Sequence, residues 1–122
     1  MRKAIPKKIR QQVYDKYNGH CAYCGCHLEY KDMQVDHIDS VYRAEYNGKK
    51  INNSIENYMP SCRGCNFYKG VFSIEQFRSN IEHLLIRKLH NDFNYKMLIK
   101  YGMIHEDLKP VIFYFEKAES EE

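Results

Sequence analysis

The sequence lacks long apolar runs, an apolar leader and internal repeats. No stretch of its 122 residues approaches the roughly 18 consecutive apolar side chains that a membrane-spanning helix needs. The basic start of the chain, residues 1–8, has no apolar segment behind it, so we do not expect it to be a secretory signal. The length is typical of one domain. These features together predict a soluble, cytoplasmic protein with a single domain.

The net charge is also small, because 19 Lys and Arg face 16 Asp and Glu, which gives a formal charge of +3. The charge is unevenly spread: residues 1–16 carry six basic side chains against Asp15, and the acidic tail 116–122 carries four glutamates against Lys117. A basic N-terminal part is compatible with a polyanionic partner. Charge alone favours a solvated helix face and a frayed tail.

Cysteine is the residue type that carries most information. Four of the five cysteines form two Cys-x-x-Cys pairs, Cys21/Cys24 and Cys62/Cys65. Disulfides and a redox pair are the alternatives, but a reducing compartment disfavours structural disulfides and a redox motif needs only one pair. The spacing favours a tetrahedral zinc site with four thiolate ligands. Cys26 is left over and is interpreted as a spectator thiol.

The first half of the chain predicts a helix followed by extended structure. An apolar stripe at spacing four predicts an N-terminal helix over residues 6–17 that ends at Asn18-Gly19. Alternating apolar and polar side chains predict a hairpin or strand pair within 28–38. The polar segment 39–56 is expected to be a long loop with a functional role or high mobility.

The second half is predicted to be mainly helical. A short helix runs through Lys69 and ends at Gly70. A stripe from Ile74 to Leu89 recurs at helical spacing, which predicts a helix that faces the core. Residues 92–101 are expected to form another short helix, and Val111–Phe115 a terminal strand.

Four sequence blocks appear in a recognisable order. They are Cys-Ala-Tyr-Cys-Gly at 21–25, Val-Asp-His-Ile at 35–38, Glu-Asn-Tyr-Met-Pro at 56–60 and Cys-x-x-Cys-Asn-x-x-Lys at 62–69. This pattern resembles the HNH endonuclease family, in particular its small free-standing bacterial and phage members with a four-cysteine zinc site. The third family position is Asn66, so the chain is similar to a His-Asn-Asn variant.

The resemblance implies an α+β fold with a ββα-metal core that is stapled by zinc and flanked by helices. We therefore expect a single domain over 1–122, with a motif core at about 19–70, a C-terminal helical extension over 73–115 and the acidic tail. In a regular strand Asp36 and His37 would face opposite sides. Both can serve one phosphate only where the strand ends or bulges, which the family fold implies.

The resemblance also implies roles for individual residues in metal-dependent hydrolysis of DNA. His37 would be the general base, since a neutral imidazole can deprotonate water near pH 7. Asp36 and Asn66 would hold Mg²⁺ or Mn²⁺, which prefer oxygen ligands. Asn57 would orient the loop or His37. The zinc would be structural, because four thiolates leave no position open for water.

Partner and role are less constrained by the sequence. Lys69 and Arg63 are predicted to contact DNA phosphates, and the alternative for each is a solvated surface charge. The DNA is expected to be double-stranded, and a homodimer or a larger assembly is compatible with the motif. Two other functions stay open: a zinc-dependent nucleic-acid-binding module without catalysis, and a nuclease subunit that is active only within a phage or defence assembly.

Overall fold

The structure is a computed structural model. It describes residues 4–40, 44, 46, 48, 50 and 53–120. The other positions of the predicted loop at 39–56 lie outside the described residues. Within the described part of the chain, no helix combines the length and the apolar character that crossing a membrane requires.

Helix α1 spans Lys7–Lys16 and confirms the predicted N-terminal helix. Pro6 precedes its first turn, where a missing N–H costs no helical hydrogen bond. Val13 is fully buried on its inner face. The helix ends where Asn18 (φ 54°) and Gly19 (φ 77°) adopt left-handed backbone conformations, as the Asn-Gly pair predicts.

A two-stranded antiparallel sheet lies at the centre of the motif region. Strand β1 spans Gln34–His37 and strand β2 spans Tyr58–Ser61, with Gln34 opposite Ser61 and His37 opposite Tyr58. The predicted strand pair within 28–38 is therefore wrong, since β1 takes its partner from much further along the chain.

The segment before β1 is held by α1 instead of by a strand. Tyr30–Asp32 forms a 3₁₀ turn. The guanidinium of Arg10 donates to the carbonyl oxygens of Tyr30 at 2.8 Å and Met33 at 2.7 Å. These carbonyls are thereby satisfied without a second strand, which explains why the alternating pattern misled the prediction.

Helix α2 spans Arg63–Lys69 and ends at Gly70, which has a φ of 52°, as predicted. The helix follows β2 directly and packs on β1. The order β1, β2, α2 is a ββα unit, so the predicted α+β class is confirmed.

Residues 74–111 form a compact unit of their own, and a second unit contains the chain up to Ser73 together with the residues from Ile112 onward. The unit of residues 74–111 contains four helical segments: α3 (Ile74–Ser79), a π-helical segment (Asn80–Leu85), α4 (Ile86–His90) and α5 (Phe93–Lys100). The predicted helices over 74–89 and 92–101 are confirmed. In the apolar stripe Phe77 is buried, but Leu89 is 42% exposed, so the predicted core-facing stripe holds only in part. The single domain stays a prediction.

The last element of the described chain is helix α6, Tyr114–Ser120. The predicted terminal strand over Val111–Phe115 is therefore wrong. The backbone N–H groups of Tyr114 and Phe115 donate to the carbonyl oxygens of Tyr23 and Ala22, at 3.0 and 2.8 Å. These two bonds tie the start of α6 to residues 21–26, the first cysteine loop, but they do not form the ladder of a β-sheet. The predicted acidic tail is thus largely helical.

Candidate active site

Four cysteine thiols meet where the first cysteine loop faces the start of α2. The Sγ atoms of Cys21, Cys24, Cys62 and Cys65 all lie within 4.8 Å of one another, and those of Cys24 and Cys62 are 3.9 Å apart. Tetrahedral coordination with Zn–S bonds of about 2.3 Å places ligand sulfurs about 3.8 Å apart. The predicted grouping is confirmed, and the arrangement fits one ion held by four thiolates.

Backbone N–H groups already point at two of these sulfurs. The N–H of Tyr23 donates to the Sγ of Cys21, and the N–H of Cys65 donates to the Sγ of Cys62, each at 3.4 Å. Such bonds favour the charged thiolate over the neutral thiol. The local backbone therefore prepares the sulfurs for a cation.

The thiols also perturb one another. The hydrogen bond from Cys65 lowers the pKa of the Cys21 thiol to about 4. The same bond, together with burial, raises the pKa of the Cys65 thiol. The proton of this pair therefore stays on the Cys65 sulfur and is donated to Cys21, and a bound cation would replace that proton.

Cys26 lies outside the four-thiol group and is exposed. Partial desolvation of its sulfur, then its bond with Cys24, raises the pKa of this thiol to about 12. The loop turns one residue earlier at Gly25, whose φ is 81°, and a Cβ there would lie 2.9 Å from the Tyr114 ring. This geometry supports the interpretation of Cys26 as a spectator.

The carboxylate of Asp36 is buried within an ionic cluster. Its Oδ2 accepts a hydrogen bond from the hydroxyl of Tyr23 and pairs with the Nζ of Lys69 at 3.0 Å. The side chain of Lys69 is 0% exposed and that of Asp36 is 7% exposed. Both contacts fall on Oδ2. Among the described residues neither of these two contacts involves Oδ1.

The burial of Lys69 corrects its predicted role. A contact with a DNA phosphate requires an accessible ammonium, whereas this one lies inside the protein and also donates to the carbonyl oxygen of His37 at 3.0 Å. Lys69 instead ties α2 to the last two residues of β1. Burial and the charge of Asp36 raise the pKa of Tyr23, so its phenol stays protonated as a donor to the carboxylate.

His37 is the last residue of β1, and its side chain is on the face opposite Asp36. The strand ends there as expected, with regular pairing up to Tyr58. The imidazole packs edge-to-face on the Tyr58 ring, with centroids 5.0 Å apart. Its Nε2 lies 3.3 Å from the Oδ1 of Asn53.

Asn57 holds the chain immediately after His37. Its Oδ1 accepts from the N–H of Asp39 at 2.8 Å, and its Nδ2 donates to the carbonyl of the same residue at 3.1 Å. Its own carbonyl accepts from the N–H of Ile38 at 2.9 Å. Of the two predicted roles of Asn57, these contacts favour orientation of the loop.

Asn66 lies in α2 and faces β1. Its Nδ2 donates to the Oε1 of Gln34 at 2.7 Å, which turns the amide oxygen away from Gln34. Both side chains line an open cavity of about 600 Å³ beside Cys62, with Lys31 and Arg63 also in its wall. The cavity wall thus contains a hard amide oxygen, two cationic side chains and the carboxylate of Asp32.

Three residues around the site were not predicted. Tyr23 stands inside the first motif block, and Gln34 lies two residues before Asp36 on the same strand face, so both carried a signal in their spacing. Asn53 lies in a long polar segment with no periodicity. Only the folded chain brings it to His37.

Comparison with known proteins places the matched region over this site. Residues 21–71 match the family described as HNH endonuclease. The SPbeta prophage-derived protein YoqL of Bacillus subtilis, whose name carries the same description, is 32% identical over 71 residues, covering 55% of this chain and 30% of YoqL. The CRISPR-associated endonuclease Cas9 of Corynebacterium diphtheriae is 33% identical over 81 residues, covering 65% of this chain and 7% of that protein.

The fold is similar to part of a solved structure, the crystal structure of the Type II-C Cas9 enzyme from Actinomyces naeslundii. The TM-score is 0.52 at 22% identity, over 66% of this chain and 8% of the other. At this identity the likeness concerns the fold alone. The chain spans 30% and 7% of the lengths of the two curated relatives.

Proposed function

We propose, from the match of residues 21–71 to the HNH endonuclease family, that this chain hydrolyses phosphodiester bonds of DNA in a metal-dependent reaction. The resemblance predicted from the four sequence blocks is confirmed over these residues. One observation of the structure carries the proposal: the buried ammonium of Lys69 binds both the carboxylate of Asp36 and the backbone carbonyl of His37, so α2 fixes these two consecutive residues where β1 ends.

His37 is proposed as the general base. Its ring is placed by the Tyr58 edge and by the amide of Asn53, and its main chain is fixed by Lys69. A neutral imidazole that is held in this way can accept a proton from a water aligned on a phosphorus atom. Asn57 binds the backbone of Asp39, two residues after His37, and this contact restricts movement of the proposed base.

Asp36 and Asn66 are proposed to hold a hard divalent ion such as Mg²⁺ or Mn²⁺. The donor set fits such an ion, because Oδ1 of Asp36 and the amide oxygen of Asn66 are both hard oxygens and the Nδ2 of Asn66 is turned toward Gln34. When bound, such an ion supplies neutralisation of the scissile phosphate and of the leaving oxygen.

The four thiolates are proposed to hold Zn²⁺ in a structural role. The sulfur distances fit tetrahedral coordination, and four protein ligands leave no position for a water. Because Cys65 and Asn66 are neighbours in α2, the same short helix holds a zinc ligand and a proposed ligand of the catalytic ion.

Arg63 is the proposed contact for a backbone phosphate. It is exposed at the start of α2 and lines the cavity that also contains Asn66. Phosphate contacts position a duplex without reading its sequence. A nuclease subunit that is active only within a larger assembly is a separate alternative, and inactivity of the chain alone with activity in the presence of a partner would favour it.

The test is cleavage of supercoiled plasmid by the zinc-loaded chain with Mg²⁺ or Mn²⁺, and with EDTA. We expect nicked product only with the divalent ion. The Asn66→Ala variant should lose activity, while Asn91→Ala, an equal truncation outside the matched region, should retain it. Equal cleavage by both variants would show a contaminant or a wrong ligand. DNA binding without cleavage across several divalent ions would favour the alternative, a zinc-dependent binding module.

A further inference from the structure

We propose that Asn53 is a positioning residue that fixes the tautomer and the ring orientation of His37. The inference rests on the proposed role of His37 as general base. The observation that motivates it is the approach of the His37 Nε2 to the Asn53 Oδ1, at 3.3 Å. No motif block of the sequence contains Asn53.

The orientation of the Asn53 amide follows from a second contact. The hydroxyl of Tyr58 also approaches the Oδ1 of Asn53, at 3.5 Å. A carbonyl oxygen is an acceptor only, and it has two lone pairs. The Tyr58 hydroxyl donates to this oxygen, and that bond orients the amide so that Oδ1 rather than Nδ2 lies toward the histidine.

The tautomer of His37 follows from this orientation. When Nε2 faces an acceptor, the proton of the neutral ring resides on Nε2, and Nδ1 is left with the free lone pair. Nδ1 is then the nitrogen that accepts a proton from water. Rotation of the imidazole is restricted, because His37 is only 9% exposed and its ring packs against the ring of Tyr58.

This assignment divides two tasks between two asparagines. Asn57 uses both ends of its amide on the backbone of Asp39, so it controls the path of the chain after the base. Asn53 controls the side chain of the base itself. Loss of Asn53 should therefore leave the fold and the zinc site intact and change the protonation pattern of one ring.

The test uses three variants of the zinc-loaded full chain. Asn53→Asp keeps an acceptor, Asn53→Leu removes it at similar size, and Asn91→Leu makes the same change outside the matched region. The readout is the pair of ¹⁵N chemical shifts of the His37 imidazole, recorded at a pH where the ring is neutral. Single-turnover DNA cleavage is measured in parallel.

We expect the Nε2–H tautomer in the native chain, Asn53→Asp and Asn91→Leu, and a mixture in Asn53→Leu. The Asn53→Leu variant should lose about ten- to a hundredfold in cleavage rate, by analogy with the loss caused by removing the hydrogen-bond partner of a metal-bound histidine, and Asn53→Asp should recover most of it. An unchanged tautomer in Asn53→Leu would overturn the proposal. If the native chain does not cleave DNA, the proposed function fails, and the chemical shifts still decide the role of Asn53.

Discussion

At the scale of single residues, the main finding is that the side chain of Lys69 is buried between two polar partners. Its ammonium is fully buried, and it is satisfied by the Asp36 carboxylate and the His37 carbonyl, each at 3.0 Å. A buried cation is tolerated only when such partners are present. The lysine therefore sets the geometry of the two residues at the end of β1 and takes no part in contact with solvent.

The Lys69→Met variant tests this role. Removal of one member of a buried ion pair leaves the Asp36 carboxylate uncompensated, and such changes cost about 3–5 kcal/mol. We expect that loss in the free energy of unfolding, measured by urea denaturation of the zinc-loaded chain. Lys88→Met, at an exposed lysine, should change the unfolding free energy by no more than about 0.5 kcal/mol.

The double variant Lys69→Met/Asp36→Asn distinguishes charge from packing. It removes the unpaired carboxylate, so part of the lost stability should return. An unfolding free energy for Lys69→Met that equals that of Lys88→Met would contradict the buried pair.

The sequence identified Asp36, Asn66 and Lys69 as site residues. It predicted less well which neighbours their side chains face. Asn66 and Lys69 are three residues apart in α2, and Gln34 and Asp36 are two apart in β1. The spacing therefore predicts that the two residues of each pair lie on the same face of their element. Whether the face of α2 that carries Lys69 meets the strand or the DNA depends on packing between the two elements. Spacing within each element alone does not contain that information.

At the scale of elements, the predictions succeeded where a local signal was strong. Helix α1 ends at Lys16, shortly before Gly19, and helix α2 ends at Lys69, directly before Gly70. Both glycines have positive φ, as the sequence indicated. The terminal strand over Val111–Phe115 failed because β propensity is a preference for a half-buried sheet surface. Here Phe113 is buried and the next two residues bond to the first cysteine loop.

The four-cysteine group joins these elements, and its removal is expected to destabilise them together. A Cys62→Ser variant loses one thiolate and the sulfur that caps α2. Structural zinc contributes on the order of 10 kcal/mol to the folding of small zinc peptides. We expect native protein with about one Zn²⁺ per chain, and reduced zinc content and a lower melting temperature for the variant.

Cys26→Ser is the matched control for that experiment, because Cys26 lies in the same loop but outside the four-thiol group. Its zinc content and melting temperature should equal those of the native chain. The account of the metal site is wrong if Cys62→Ser folds and keeps its zinc, or if Cys26→Ser loses as much zinc as Cys62→Ser.

At the scale of the whole molecule, the basic N-terminal part contributes less to attraction of a polyanion than its charges indicate. Arg10 donates to two carbonyl oxygens of the segment before β1. Lys16 donates to the carbonyl of Tyr58 at 2.9 Å, and burial lowers the pKa of its ammonium. These two cations serve internal contacts, so a DNA contact must come from exposed groups such as Arg63.

The general base assignment is the central claim, and one rate constant tests it most directly. The measurement is single-turnover cleavage of a DNA duplex at saturating Mn²⁺ by the native chain and by His37→Ala, with zinc content and melting temperature recorded for both. A positioned base contributes about 10²–10⁴-fold to such a reaction, so we predict a loss of that size with fold and zinc unchanged. Equal rate constants for the two proteins would contradict the account.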